Sequence, residues 1–96
     1  MRNIEQALAE IVAIGRFLEQ GAKEQTKSPR QLFAEAHERA LVVDKALSQY
    51  QHPKISAVRK AFKKVIYAMV VGKQGRFRRA QRMANMALKE VIEVLR

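Results

Sequence analysis

The sequence predicts an all-α protein, an antiparallel four-helix bundle formed by a single domain of residues 1–96. Apolar residues recur every three to four positions in four segments, which is the spacing of one face of an α-helix. Short connections separate the segments, and they favour antiparallel neighbours. β-Branched residues fall inside these helical stripes, so no segment alternates as a half-buried strand does.

The first helix is predicted near residues 3–20. Asn3 with Gln6 resembles a capping box, and Gly21 is interpreted as the helix stop. The polar stretch 21–27 is expected to form a loop. The apolar stripe of this helix consists of Ile4, Leu8, Ile11, Gly15 and Leu18.

The second helix is predicted near residues 29–50, and its start is the strongest local signal in the chain. Ser28 is a favoured cap, Pro29 fits the first helical position, and Gln31 completes a capping box. Each of these residues satisfies or removes a backbone donor that lacks a helical partner. The predicted buried stripe is Leu32, Phe33, Ala36, Ala40, Val43 and Leu47.

The third and fourth helices are predicted near residues 53–71 and 76–95. Pro53 begins the third because the residue before a proline is disfavoured in helical geometry. Gly72-Lys73-Gln74-Gly75 closes it. The inward residues of the third helix are Ile55, Val58, Phe62, Val65, Ile66 and Met69. Those of the fourth are Phe77, Ala80, Met83, Ala84, Ala87, Leu88, Val91 and Leu95.

The net positive charge of the chain comes entirely from its second half. The first 48 residues carry seven basic and seven acidic side chains, whereas the last 48 carry twelve and two. No acid lies between Asp44 and Glu90. Such a field attracts phosphates, anionic lipid headgroups or an acidic protein surface. The predicted partner-binding residues are Arg59, Lys60, Lys63, Lys64, Lys73, Arg76, Arg78, Arg79 and Arg82.

The spacing of these cations works against local helix stability. Lys60 and Lys64 lie four residues apart, where like charges cost a few tenths of a kcal/mol. The arginines of residues 76–82 crowd a helix start, where the helix dipole favours acids. A partner of opposite charge is one explanation, and general solubility is the other.

The residues predict no catalysis, metal, cofactor or small-molecule substrate. His37 is expected to be solvated opposite the apolar stripe, and His52 to belong to a helix start. Glu35 and Glu38 share a face, but acid–base work needs a cleft that shifts their pKa values. Residues 72–75 lack the preceding strand of a phosphate loop, and no nucleophile triad or dinucleotide fingerprint occurs. The four methionines are spaced as core residues.

The lack of cysteine, of a signal-peptide pattern and of a long apolar run predicts a cytoplasmic protein. The chain has no cysteine, which fits a reducing compartment. Its start shows no signal-peptide pattern. The longest apolar run, residues 65–71, has seven residues, against roughly 20 needed to cross a bilayer.

The second half of the chain contains a group of motifs: Pro53-Lys54-Ile55-Ser56-Ala57-Val58-Arg59, Tyr67, Met69, Lys73 and the final helix from Met86 to Val91. Together they resemble the immunity proteins for pediocin-like (class IIa) bacteriocins. Leu32-Phe33-Ala34-Glu35-Ala36 also matches the Leu-Phe-x-Ala-like start of the family's second helix. The resemblance extends from Pro29 onward as pattern and helix lengths.

The resemblance implies a cytosolic antiparallel four-helix bundle that protects a bacteriocin producer from its own peptide. Such a protein engages the complex of bacteriocin and sugar-transport permease from the inner face of the membrane, where it is peripheral. In that family the third and fourth helices and a C-terminal tail set specificity. This sequence stops at Arg96, so tail-mediated specificity is not expected. The matching positions are Ile55, Ser56, Arg59, Tyr67, Lys73 and residues 76–82.

Two other classes of function stay open. A pI near 10.6 and clustered cations are typical of nucleic-acid-binding proteins. Aromatic residues are few, however: Phe62 and Phe77 fall in core stripes, which leaves Tyr50 or Tyr67 to stack on bases. No helix-turn-helix pattern is evident. The remaining class is an adaptor that uses its basic face against an acidic protein.

Overall fold

A computed structural model of the chain describes residues 4–24 and 27–95, apart from the side chain of Ile4. These residues form four helices, which confirms the predicted fold class. The helices are α1 (Ile4–Glu24), α2 (Pro29–Leu47), α3 (Ile55–Lys73) and α4 (Phe77–Leu95). No strand occurs in the described residues. The predicted cap at Asn3 lies outside them.

The helices pack as an up-and-down bundle with extents of 38 × 21 × 20 Å. Each helix contacts the next, and α4 returns to α1. Of these four contacts, the α3–α4 contact is the most extensive and the α1–α4 contact the least. Ion pairs between Arg59 and Asp44 and between Lys64 and Glu90 are consistent with antiparallel neighbouring helices. The first pair joins α2 to α3 and the second joins α3 to α4, and in each pair the two residues lie at similar heights along the bundle axis.

All four helices contribute to one hydrophobic core. No polar or charged residue is buried among the described residues, so apolar burial alone builds the interior. The largest fully buried side chains are Phe62, Ile11, Ile14, Leu18, Leu47, Met69, Val58, Val65 and Val91.

The start of α2 has the predicted capping box. The Ser28 Oγ accepts from the Gln31 backbone N–H at 3.2 Å, and the Gln31 Oε1 accepts from the Ser28 N–H at 3.1 Å. All six predicted stripe residues of α2 are buried. The helix ends at Leu47, before the predicted residue 50, because the chain turns after the C-cap residue Ser48.

The prediction for α1 was wrong at its C-terminal end. Gly21 does not stop the helix, which continues to Glu24. A Cβ atom at Gly21 would overlap the Leu32 side chain, so this glycine permits close packing of α1 on α2. The stripe is also displaced: Ala7 and Ile14 are buried in place of the predicted Leu8 and Gly15. Ile11 and Leu18 are buried as predicted.

The third helix is shifted two residues along the chain from its prediction. Pro53 lies in the turn before Ile55, where the His52 carbonyl accepts the Ile55 N–H at 3.0 Å. The His52 Nδ1 also accepts the Lys54 N–H at 3.1 Å, so His52 belongs to the helix start as predicted. After Lys73 the chain reverses at Gly75, whose φ of +97° favours glycine.

The fourth helix follows its predicted stripe. Ala80, Ala84, Ala87, Leu88 and Val91 are buried, and Phe77, Met83 and Leu95 pack at the edge of the core. Met86 contradicts the prediction that all the methionines are core, because 69% of its surface is exposed. This exposure matters for the surface described next.

Candidate cationic binding surface

The structure divides the nine predicted cations among three places. Two face α2, five surround a groove between α3 and α4, and two lie near the start of α4. The first pair is Arg59 and Lys73. The second set is Lys60, Lys63, Lys64, Arg79 and Arg82. The last pair is Arg76 and Arg78.

Arg59 forms an ion pair with Asp44 of α2. Its Nε lies 3.6 Å from the Asp44 Oδ1. Both atoms are buried and have no closer hydrogen-bond partner among the described residues. The Arg59 and Asp44 side chains are 37% and 23% exposed, less than in the other ion pairs of the described residues. Arg59 therefore ties α3 to α2 and is not a free cation.

Lys73 contacts His37, which is half-buried between α2 and the end of α3. The Lys73 Nζ lies 3.3 Å from the His37 Nδ1. Because an ammonium group only donates, this contact requires a neutral imidazole with Nδ1 unprotonated. Burial lowers the pKa of His37, the Lys73 charge lowers it further, and Glu38 opposes both effects. His37 therefore contacts α3, so the prediction that it lies opposite the apolar stripe was wrong, while its partial exposure agrees with the predicted solvation.

A groove of about 450 Å³ runs between α3 and α4 on the outer surface of the bundle. Tyr67 and Met86 form its most exposed apolar parts, with 58% and 69% of their surfaces exposed. Isolated exposed apolar residues are ordinary, but these two share one concave surface. The lining residues are Lys63, Lys64, Tyr67, Met83, Met86, Ala87 and Glu90.

Helical spacing extends this groove with three further cations. Lys60 lies one turn before Lys64, and Arg79 and Arg82 lie one turn before Met83 and Met86. Since α3 and α4 are antiparallel, the lysines lie at one end and the arginines at the other. We call the combined set the cationic groove. It comprises Lys60, Lys63, Lys64, Tyr67, Arg79, Arg82, Met83, Met86, Ala87 and Glu90.

The cationic groove has five cations against one carboxylate. Glu90 binds Lys64, with Nζ–O distances of 2.9 and 3.0 Å. The other four cations are exposed and form no ion pair or hydrogen bond with any residue that the structure describes. Their charge is therefore available to a partner.

Arg76 and Arg78 lie apart from the cationic groove. Arg76 directly precedes α4, and its carbonyl accepts the Ala80 N–H at 2.9 Å. Arg78 lines a different cavity, of about 610 Å³, beside Leu18 and Phe77. Arg78 therefore borders a different cavity from the groove that Lys63 and Lys64 line.

The other acidic side chains singled out in the sequence lie in separate surroundings. Glu35 accepts from the Lys27 Nζ at 2.7 and 2.8 Å, and Glu38 is exposed. The Arg39 guanidinium lies 4.2 Å from the centre of the Phe17 ring. Within residues 4–24 and 27–95, no three His, Cys, Asp or Glu side chains are grouped to hold a metal ion. None of the described helices is long and apolar enough to span a bilayer.

Sequence reasoning missed four members of the cationic groove: Met83 and Ala87, which were predicted as inward residues of the fourth helix, and Met86 and Glu90. Met86 follows Arg79 by seven residues and Arg82 by four, so helical spacing places it on the same face. That spacing was the available signal. Glu90 follows Met86 by four residues and so shares this face, but its pairing with Lys64 depends on contact with another helix.

Comparison with known proteins yields no match: the chain matches no family model, no curated protein and no solved structure.

Proposed function

We propose that this protein is a non-catalytic binding protein that docks an anionic macromolecular partner in the cationic groove, and that it acts as a bacteriocin immunity protein. The observation that carries the proposal is the composition of the groove. Lys63 and Lys64 line it with Tyr67 and Met86, and Glu90 is the one acid in its lining. Helical spacing places Lys60, Arg79 and Arg82 on the same faces of α3 and α4.

A partner explains this groove better than solubility does. Charge alone would keep the protein soluble, but it gives no reason to expose Tyr67 and Met86 between the cations. Tyr, Met and Arg are the residue types enriched at protein interfaces. The repulsion between closely spaced lysines is also relieved when an anionic surface binds.

The immunity role places this groove at the inner face of a membrane. Anionic headgroups there attract each nearby cation by about 1 kcal/mol, so the protein would concentrate where the permease–bacteriocin complex lies. Of the positions matched to the family, the exposed ones are Ser56, Tyr67, Lys73, Arg76, Arg78, Arg79 and Arg82. We infer that these outward positions contact the complex.

Protection of a sensitive strain tests the proposal. The chain is expressed in that strain, which is then challenged with a panel of pediocin-like peptides. We expect protection against at least one peptide, and loss of it on replacing Lys63, Arg79 and Arg82 together with Gln. The matched control replaces three exposed cations away from the groove with Gln: Arg16, Lys45 and Lys54.

Two results contradict the proposal in different ways. Failure of the unaltered chain to protect against any peptide rejects the immunity role. Equal loss in the groove variant and the control, with helix content unchanged by circular dichroism, rejects the groove as the docking surface.

Nucleic-acid binding is the second candidate, and the position of Tyr67 favours it. An exposed aromatic ring between cations is a stacking surface for an unpaired base, worth about 1–3 kcal/mol. Phosphate contacts by the surrounding cations would supply the remaining affinity.

Fluorescence anisotropy with short duplex DNA and structured RNA, at about 50 and 200 mM salt, tests this candidate. Four phosphate contacts predict that log K falls with log salt with a slope of roughly −3 to −4. Submicromolar binding at the higher salt supports it. Binding that disappears there marks the charge as a general field.

A further inference from the structure

We propose that the cationic groove receives one acidic amphipathic helix of a partner protein. The inference rests on the proposed function only in using the same surface for docking. It adds the chemistry of the partner: an apolar centre with carboxylates at both ends.

The shape of the groove fits a helix. It is a concave channel between two antiparallel helices, with Met83 and Ala87 in its walls and Tyr67 and Met86 more exposed. A third helix that lies along such a channel inserts a ridge of apolar side chains spaced i, i+3, i+4 and i+7. Methionines adapt to such ridges because their side chains are flexible and polarizable.

The order of charges along the groove sets the pattern expected of that helix. Lys60, Lys63 and Lys64 occupy one end, the apolar side chains lie in the middle, and Arg79 and Arg82 occupy the other end. Lys60 to Tyr67 spans about 10 Å at 1.5 Å per residue, one further turn reaches Arg82 and a second turn reaches Arg79. A partner helix of about four turns would therefore place its carboxylates against both ends.

This order is less suited to a nucleic acid or a membrane. A phosphate backbone carries charge at every nucleotide and would bring phosphates against the apolar centre. A bilayer surface is broad and would reach Tyr67 and Met86 without entering the groove to Met83 and Ala87. An acidic amphipathic helix has carboxylates that fit the cations at both ends of the groove and an apolar ridge that can reach Met83 and Ala87.

Two synthetic peptides of identical composition provide the test. One has apolar residues at i, i+3, i+4 and i+7 with Glu at both ends, and the other distributes the same residues around the helix. We expect the first to bind at least ten-fold more tightly by fluorescence anisotropy, and to gain helix on binding by circular dichroism. Tyr67→Ala with Met86→Ala should remove this preference.

The matched control is Leu41→Ala with Val42→Ala, which truncates two exposed apolar residues of α2. It should bind the amphipathic peptide as the unaltered chain does. All four side chains are exposed, so both variants are expected to fold, and thermal unfolding checks this.

The possible results separate this inference from the proposed function. Equal affinity for the two peptides, or no binding of either, overturns the acidic helix. If anionic vesicles or duplex DNA bind through Tyr67 and Met86 while the peptides do not, the docking surface stands and the partner is a lipid or a nucleic acid. If the groove variant loses protection but the unaltered chain does not bind the peptides, only the proposal of an acidic partner helix is rejected.

Discussion

Gly72 of α3 lies against the aromatic ring of Phe33 of α2. A Cβ atom at Gly72 would overlap the Phe33 ring. The ring cannot move aside freely, because it stacks on Phe77 of α4 with centroids 6.3 Å apart and planes at 8°. The absence of one methyl group therefore permits three helices to meet at this end of the bundle.

Replacing Gly72 with Ala is expected to destabilise the protein by about 1–2 kcal/mol. Overpacking of a filled core costs about 1–3 kcal/mol, and the higher helix propensity of Ala returns up to ~1 kcal/mol. Urea unfolding measures the change, and a drop of about 4–8 °C in Tm per kcal/mol is expected for a domain of this size.

Gly15→Ala is the control for this substitution. Its Cβ would meet the Leu88 Cδ1 at 3.1 Å, and the end of a leucine side chain can shift by a few tenths of an ångström. The gain in helix propensity should then cancel or exceed the crowding. Equal destabilisation by the two substitutions would contradict the role assigned to the Phe33 ring.

The sequence predicted the four helices because their periodicity and caps are local. The Ser28 capping box and the whole α2 stripe are confirmed, since both depend on neighbouring residues alone. Gly21 and the stripe of α1 were predicted wrongly for a physical reason. Neighbouring residues do not show whether Gly21 ends a helix or makes room for the Leu32 side chain. Only the packing of α1 on α2 distinguishes these two roles.

Ser28→Ala should reduce stability by about 1 kcal/mol, because the Gln31 N–H loses the oxygen that caps it. Chemical denaturation measures the change. Ser48→Ala is the control: its hydroxyl donates to the Lys45 carbonyl on the surface, where water replaces it. A Ser48 variant as destabilised as the Ser28 variant would show that hydroxyl loss in general, and not N-capping, is responsible.

The contact between His37 and Lys73 predicts a pH-dependent stability. Because the pKa of folded His37 lies below 6.5, the unfolded chain binds more protons as the pH falls through 6.5. This contribution to stability is complete above pH 6.5 and is lost progressively as the pH falls toward the folded pKa. Unfolding at about pH 7.5 and 5.5 measures it, and His37→Gln should flatten the difference.

Lys73→Met tests the cause of that shift. Removing the ammonium group should raise the pKa of His37 without restoring it fully, because burial is the larger influence. An NMR titration of the His37 ring protons follows this. An unchanged pKa in the Lys73 variant would assign the shift to burial alone.

Arg59→Gln should affect stability more than binding. It leaves the buried Asp44 Oδ1 without its cation, at a cost of about 1 kcal/mol after allowance for the partial exposure of both side chains. Lys63→Gln is the converse substitution: stability should be unchanged and affinity for the acidic peptide lower. Urea unfolding and anisotropy, measured on both variants, separate the two roles. Strong loss of binding with Arg59→Gln at unchanged stability contradicts this division.

The candidate surface was less predictable than the fold. The sequence identified all five cations of the groove, because charge density is visible without a structure. It could not distinguish them from Arg59 and Lys73, which contact Asp44 and His37 on another helix. A side chain's partners across an interface are set by tertiary contacts, so charge counting overestimated the free cations.

Glu90→Gln removes the single acid of the cationic groove and should strengthen anion binding. The Lys64–Glu90 pair is 59% and 44% exposed, so its loss should change stability by less than about 1 kcal/mol. Affinity for the acidic amphipathic peptide should rise about two- to five-fold at ~50 mM salt and less at ~200 mM, where screening shortens the range of the charge. Glu93→Gln makes the same charge change on an exposed part of α4 outside the groove. Anisotropy that shows the same gain for both variants would indicate a response to net charge and not to the groove.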